Sequence, residues 1–577
     1  MPESPLDFRT ANTLWGSVLV ATLVRCGVRQ AVISPGSRST PLTLAFAANR
    51  SVESIPVLDE RSAAFFALGL ARQHSRPTVL VCTSGTAGAN YLPAIIEAKE
   101  SGVPLLVLTA DRPPEMRECA SGQTIDQQKL FGDHVGLYHE LAVPEASVAL
   151  LRYLRQTLVH ACGRTLAPVA GPVHLNVPFR DPLVPEAGSP GTGLDSAADW
   201  RAFLAEVAPA AAVETVAALP AFAPTDRGVI VVGPNQPADP AKFAAEVSAL
   251  AAKLGWPVLA EGLSPLRNHP TTATVITTYD TVLRQAALAA ELKPERVLGI
   301  GAWPTSKVLR AWLAAADAPM LLVGEGGRNR DALHGRTQTV SASLETLARD
   351  LPASSGNGAY ARRWAALEQQ ARGALDRTLE QEKAFFEGRA AWLLARQLPR
   401  GTPLFVANSM PVRDVEYFWP RSERGIEPRF NRGANGIDGT LSTALGLAHG
   451  NRPTVLLTGD LALLHDANGF LLHSRLRGSL TVVLINNQGG GIFEHLPVAQ
   501  SGPAFEEYFA TPQRIDFAKL CAAHGVEHVA VRDWEHFTAL VATLPLQGVR
   551  VLEVSTDRKR DAATRKALFA TIAAGLK

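Results

Sequence analysis

The chain has 577 residues, 46% of them apolar and 19% charged, with a formal net charge of +2. That length exceeds one hydrophobic core and predicts three or four domains of a soluble α/β protein. So small a net charge gives no ground for a nucleic-acid or anionic-membrane partner. The five cysteines, Cys26, Cys82, Cys119, Cys162 and Cys521, lack the paired spacing of a disulfide or zinc framework. No apolar run reaches the length of a membrane span, and the N-terminal MPESPLDFRT has no basic segment followed by an apolar one. The expected location is cytoplasmic.

Residues 1–185 alternate helix and strand patterns. An amphipathic helix is expected over 13–26, and short buried strands over 31–34, 55–58, 78–82, 105–109 and 173–177, with helices between them at 61–74 and 87–101. This is the pattern of a doubly wound parallel sheet. Ligands in such sheets bind beyond the carboxyl ends of the strands, and here those ends are polar. The first is followed by SPGSRSTP, residues 34–41, which holds Ser37 and Arg38. It reads either as an anion site at a helix N-terminus or as a plain cap made by Ser39 or Thr40. Asp59-Glu60-Arg61 follows the second strand, where Glu60 by itself would only offset a helix dipole. TSGTAG (83–88) and TADRPP (109–114) follow the next two, and Gln123 lies in the polar segment beyond.

Residues 182–198, rich in Pro, Gly and small side chains, read as a linker. A second α/β domain is expected over 199–350, with strands at 228–232, 257–260, 296–300 and 319–323. It lacks a G-x-G-x-x-G fingerprint, so nothing points to NAD or FAD. Lys307, at the strand-end GAWPTSK, reads on spacing alone as a surface lysine. LPASSGNG (351–358) is the next joint, and long amphipathic helices are expected over 361–398. The third domain, 360–577, carries strands at 404–407, 454–458, 480–485, 528–531 and 549–554. Between the first two stand NSMPVR (408–413), which holds Ser409 and Arg413, and NRGANGIDG (431–439), which holds Arg432 and Ile437. A loop so rich in Gly and Asn binds something or turns sharply.

The most informative stretch is 454–493. A buried strand ends in Gly459-Asp460, a helical segment follows, and a second buried strand ends in Asn486-Asn487, followed by Gln488-Gly489-Gly490-Gly491 and Ile492-Phe493. One carboxylate and one amide oxygen suit Mg²⁺, a hard cation that keeps phosphate oxygens among its ligands. Glycines let backbone groups approach a diphosphate closely. This spacing resembles the metal–diphosphate signature of the thiamin-diphosphate enzymes, with Leu461 where glycine is usual. Together with SPGSRSTPLT, DERSAAFFALGLA, TSGTAGAN, LTADRPPE, PTSK, NSMPVRD, NRGANGIDG, GDLALLHDANG and NNQGGGIF, it resembles over essentially the whole length the isochorismate-consuming synthase branch of that superfamily in menaquinone biosynthesis.

The resemblance implies three consecutive doubly wound parallel-sheet domains: pyrimidine-binding (1–185), central (199–350) and diphosphate/Mg-binding (360–577). It implies thiamin diphosphate and Mg²⁺, with Mn²⁺ as an alternative, and a transferase reaction in which 2-oxoglutarate is decarboxylated and the succinyl unit adds 1,4 to isochorismate. Residue by residue, Glu60 would meet N1′ of the aminopyrimidine. Asp460, Asn487 and Gly489 would bind the metal, and Ile437 would support the bent cofactor, with Ser409, Gly459, Ile492 and Phe493 also at the cofactor. Ser37, Arg38, Gln123, Lys307, Ser409, Arg413 and Arg432 would line the substrate pocket, with Gln123, Arg413 and Arg432 in catalysis beside Glu60. Where relatives carry a second basic residue after the lysine, this chain has Val308. A homodimer or dimer of dimers with shared sites is implied. The alternatives are a 2-oxoacid decarboxylase or acetolactate-type synthase, and a silent binding protein on the same scaffold.

Overall fold

The structure, a computed structural model, describes residues 6–187, 191–205, 207–208, 225–324, 329–353 and 358–577. Residues 188–190 of the first expected linker and 354–357 of the second lie outside the described residues. Three six-stranded sheets carry the fold, and every strand pair in them is parallel. The first holds β1 (Gln30–Ile33), β2 (Glu53–Pro56), β3 (Thr78–Cys82), β4 (Leu105–Asp111), β5 (Leu137–Glu140) and β6 (Pro172–Pro178), in the order β2-β1-β3-β4-β6-β5. The second holds β7 (Gly228–Val232), β8 (Val258–Ala260), β9 (Val275–Ile276), β10 (Arg296–Ile300), β11 (Met320–Val323) and β12 (Thr337–Val340), in the order β12-β11-β10-β7-β8-β9. The third holds β13 (Pro403–Val406), β14 (Glu427–Arg429), β15 (Thr454–Gly459), β16 (Ser479–Asn486), β17 (Glu527–Ala530) and β18 (Gly548–Ser555), in the order β14-β13-β15-β16-β18-β17.

The central strands are the continuous apolar runs of the sequence. β3, β4 and β6 are buried at every position, as parallel strands covered on both faces must be. Four strands were not expected: β5, β9, β12 and β14. All four are sheet edges or next to none but one neighbour. The helix expected over 87–101 is two, Thr86–Ala89 and Leu92–Ser101, interrupted at Asn90 and Tyr91 just before Pro93. The stretch 361–398 is likewise two helices, Ala359–Gln381 and Glu387–Gln397.

The chain divides into two compact units. One comprises the described residues within Met1–Val213, Asn431–Gly450 and Asp466–Arg477; the other comprises those within Glu214–Phe430, Asn451–His465 and Gly478–Lys577. In the first unit the Glu60–His74 helix crosses the Thr440–Ala448 helix at Gly69 and Gly446. A Cβ on Gly69 would stand 2.1 Å from the Thr443 carbonyl oxygen, and one on Gly446 would stand 2.1 Å from that of Phe66. The two backbones therefore touch, and only glycine permits it. His449, at the end of the second helix, sits 2.8 Å from Glu53 Oε1 on β2. Its Nδ1 accepts the Arg477 backbone N–H, and its Nε2 lies within reach of both Glu53 and Arg477 Nε.

Candidate active site

In the first unit the turn after β1 passes so close to β3 that a Cβ on Gly36 would lie 2.2 Å from Thr83 Cβ. Ser37 is exposed. Ser39 does not cap the Thr40–Ala48 helix; its hydroxyl donates to the Gly36 carbonyl (3.0 Å), and that of Thr40 to Ser37 (2.6 Å). The hydroxyls brace the turn, and the plain-cap reading does not hold. Arg38 is buried, with Nη1 donating to the Phe179 carbonyl (2.9 Å) and Nε without a partner. Gln123 has a left-handed backbone (φ 54°) and donates from Nε2 to the Ser84 carbonyl (3.0 Å). Its own carbonyl accepts Arg112 Nη1 at 2.8 Å, and Arg112 also reaches the Ser84 hydroxyl. Burial and the charge of Arg38 lower the Arg112 pKa. Arg112, just past β4, thus joins Gln123 and Arg38 of the turn after β1. Sequence reasoning quoted its motif and passed over the residue; its strand-end position was the available signal.

Glu60 is the half-buried first residue of its helix. The cap is supplied by Asp59, whose carboxylate accepts the backbone N–H groups of Arg61 (2.9 Å) and Ser62 (3.4 Å). Capping therefore does not account for Glu60. The 431–439 loop is tied to the same unit by Glu97, a residue 3% exposed that sequence reasoning missed. Its two oxygens accept the backbone N–H of Gly433 (3.0 Å) and Ala434 (2.7 Å), and Arg72 pairs with it at 3.0 Å. Arg72 also donates to Asn431 Oδ1 (3.1 Å). Arg432 and Ile437 are half-buried on this clamped loop. At its end Gly439 (φ 62°) leaves no room for a Cβ, which would stand 1.9 Å from the Phe65 ring.

In the second unit Lys307 is exposed and opens the Lys307–Ala316 helix. Ser306 caps that helix and donates to Asp280 Oδ2 (2.5 Å). Val308 packs against the apolar core. Ser409 precedes the Met410–Phe418 helix with φ 71°, an uncommon region for a residue with a side chain, and its carbonyl accepts Arg413 Nη1 (2.6 Å). The helix is held by two buried ion pairs, Asp414 with Arg565 and Glu416 with Arg267.

At the ends of β15 and β16, Asp460 and Asn487 are 3% and 6% exposed. Asp460 Oδ2 accepts the Gly489 backbone N–H at 2.8 Å. Burial pushes the Asp460 pKa up to about 6, the penalty of holding a carboxylate away from water. Asn487 spends its Nδ2 on Glu387 (3.2 Å), while its Oδ1 is buried with no partner. A buried acceptor left unpaired costs free energy, and a buried carboxylate with no cation beside it does too. A divalent ion ligated by Asp460 and Asn487 would relieve both. Among the described residues no three His, Cys, Asp or Glu side chains gather to hold a metal; this donor set, one carboxylate and one amide oxygen, is the kind Mg²⁺ takes when phosphate oxygens complete its shell. Gly459 faces open space, and Gly489 (φ 132°) abuts the Ala510 carbonyl, which a Cβ would approach to 2.3 Å. Ile492 and Phe493 follow, half-buried on a short 3₁₀ turn.

Three family models cover the chain in order: "Thiamine pyrophosphate enzyme, N-terminal TPP binding domain" at 15–131, "Middle domain of thiamine pyrophosphate" at 197–406, and "Thiamine pyrophosphate enzyme, C-terminal TPP binding domain" at 417–554. A 2-succinyl-5-enolpyruvyl-6-hydroxy-3-cyclohexene-1-carboxylate synthase from Synechococcus sp. (strain JA-3-3Ab) is 53% identical over 98% of this chain and 97% of its own length. The chain belongs to this synthase family. A second such synthase, from Gloeothece citriformis, is 50% identical over 96% and 97%. Among solved structures, the thiamine diphosphate-dependent 4-hydroxybenzoylformate decarboxylase of Rhodococcus jostii RHA1 aligns with a TM-score of 0.66 at 18% identity, over 94% of this chain and 99% of that one. That likeness shows the fold of the synthase family and nothing finer. No helix among the described residues is long and apolar enough to cross a membrane.

Proposed function

We propose that this chain decarboxylates 2-oxoglutarate and adds the succinyl unit 1,4 to isochorismate, forming 2-succinyl-5-enolpyruvyl-6-hydroxy-3-cyclohexene-1-carboxylate in menaquinone biosynthesis, with thiamin diphosphate and Mg²⁺ or Mn²⁺. The observation that carries the reading is the buried, unpaired Asn487 Oδ1 and the buried Asp460 carboxylate at the ends of neighbouring strands β16 and β15, in a chain half identical to synthases of this family over nearly its full length. In this reading residues 1–185 hold the aminopyrimidine, 199–350 form the central domain, and 360–577 hold the diphosphate and metal.

When bound, thiamin diphosphate supplies the nucleophile and the electron sink for decarboxylation. The chain's own residues bind, orient and move protons around it. Glu60 holds a proton at N1′. Asp460, Asn487 and the Gly489 backbone hold the metal. Ser409, Gly459, Ile492 and Phe493 would contact the cofactor, and Ile437 would support it. Both substrates are dicarboxylates, and the planar guanidinium fork matches a carboxylate with two hydrogen bonds. Arg38, Arg413 and Arg432 take these anions with Ser37, Gln123, Lys307 and Ser409, and Arg112 joins them through its bond to Gln123. Gln123, Arg413 and Arg432 touch the reacting atoms.

The assembly in this reading is a homodimer or dimer of dimers in the cytoplasm. This reading places Leu58, 69% exposed two residues before Glu60, and Leu44, 45% exposed on the helix after β1, at the contact between copies. The deciding experiment is product identification. Isochorismate and 2-oxoglutarate should give the named product only when thiamin diphosphate and the metal are both present. Release of CO₂ from pyruvate in place of 2-oxoglutarate would move the chain to the decarboxylase reading.

A further inference from the structure

Arg565 lies on the C-terminal helix Arg558–Gly575, far in sequence from every residue assigned above. It is 2% exposed. Its Nη2 donates to Glu387 Oε1 (2.8 Å) and to Asp414 Oδ1 (2.6 Å), and its Nη1 lies 3.0 Å from His495 Nε2. The two acids it joins have different neighbours. Glu387 Oε2 accepts Asn487 Nδ2, and the Glu387 backbone N–H is fixed by Asp561 (3.1 Å). Asp414 follows Arg413 directly on the Met410–Phe418 helix.

The chemistry of these contacts is directional. An ionised carboxylate only accepts, whereas the Asn487 amide has an accepting end and a donating end. With Glu387 on one side, the NH₂ must face it, because turning the amide over would set oxygen against oxygen. Oδ1 is therefore aimed away from Glu387, and it is the atom left without a partner. The space on the NH₂ side is closed: a Cβ on Gly491 would stand 2.7 Å from Asn487 Nδ2. Glu387 keeps its place in a buried setting through Arg565.

We propose that Arg565 is a positioning residue for the reaction, which through Glu387 sets the metal-facing direction of Asn487 and through Asp414 holds the helix that presents Arg413. This rests on the functional reading above. One buried guanidinium then couples the metal end of the site to its substrate end. A purely structural ion pair would affect folding alone.

The test titrates Mg²⁺ into protein with saturating thiamin diphosphate, read by calorimetry, beside the apo melting temperature and steady-state kinetics. Glu387→Gln is nearly isosteric, but it replaces one of the two oxygens that accept separately from Arg565 and Asn487 with an NH₂ donor. It should weaken Mg²⁺ affinity by about 10- to 100-fold, the usual size for loss of a group orienting a metal ligand. Arg565→Lys should fall between the parent and Arg565→Met, and Arg565→Met should also raise KM for 2-oxoglutarate. Should Arg565→Met not fold, Glu387→Gln and Arg565→Lys carry the test. Parent-like Mg²⁺ affinity in Glu387→Gln and Arg565→Lys, with or without a lower melting temperature, overturns the proposal while leaving the functional reading in place. A parent protein that shows no Mg²⁺-dependent binding of thiamin diphosphate overturns both.

Discussion

Glu60 stands where a helix normally wants an acid, yet Asp59 already satisfies the exposed N–H groups of that turn. Glu60→Gln should therefore leave the melting temperature within a degree or two of the parent while lowering kcat by about 10²- to 10⁴-fold, the usual worth of a positioned proton-transfer group. An unchanged kcat would remove Glu60 from the chemistry. Arg413→Ala and Arg432→Ala should each lower kcat/KM for the dicarboxylates by at least tenfold, with thiamin diphosphate affinity retained; normal kinetics with both substrates would refute their role. Asp460 and Asn487 were legible in the sequence because their meaning is local, two strand ends at a set spacing. Arg112, Glu97 and Arg565 were not, because each takes its meaning from a partner remote in the chain. Glu97 looks like any helical glutamate until two backbone N–H groups of residues 433 and 434 appear against it.

At the level of elements, the central strands could be read because parallel strands covered on both faces are unbroken apolar runs. Three of the four overlooked strands are mixed in composition, and β9 is only the two residues VI. β5 is LYHE and half-buried throughout, β14 is EPR, and β12 is TQTV with two exposed positions. A strand with a neighbour on one side alone needs no continuous apolar stretch, so its sequence resembles a loop. The crossing of the Glu60–His74 and Thr440–Ala448 helices was equally hidden, since a glycine inside a helix ordinarily signals only weakness. Gly446→Ala should cost about 1–3 kcal/mol, the range for overpacking a tight contact, read as a drop of several degrees in melting temperature. Because the same crossing connects the Glu60 helix with the one that follows Ile437, kcat should fall further than stability alone accounts for. An Ala variant with parental melting temperature would show that the helices separate without cost.

For the whole molecule, His174 makes one pH-dependent contribution to stability whose sign follows from its burial. His174 on β6 is fully buried between Phe131 and Tyr138. The Thr109 hydroxyl beside it donates to Asn176, so His174 donates from Nε2 to Thr109 (2.7 Å) and keeps Nδ1 unprotonated and unpaired. Burial lowers its pKa to about 3. The unfolded chain takes up this proton near pH 6.5, and the folded chain resists until about 3. The group's contribution to stability is thus complete above pH 6.5 and is lost as the pH falls toward 3, at up to about 1.4 kcal/mol per unit. From pH 7 to 5 the urea midpoint of the parent should fall relative to that of His174→Gln, and a constant difference between the two would acquit this residue. Assembly is a property of the same scale. Sedimentation should find a dimer or larger, and Leu58→Asp should shift it toward monomer with loss of turnover, whereas a fully active monomer would contradict shared sites.

The first unit is not continuous along the chain, since it includes Asn431–Gly450 and Asp466–Arg477. A ribosome that has finished Val213 must still translate more than 200 further residues before the helix notched for Gly69 emerges. At roughly 5–20 residues per second that interval is on the order of 10 to 50 s. Throughout it, the face of the Glu60–His74 helix that meets the Thr440–Ala448 helix has no mate. The nascent chain is therefore a candidate for chaperone protection in that window, and a fragment ending near residue 213 should be poorly soluble even though its own sheet is complete.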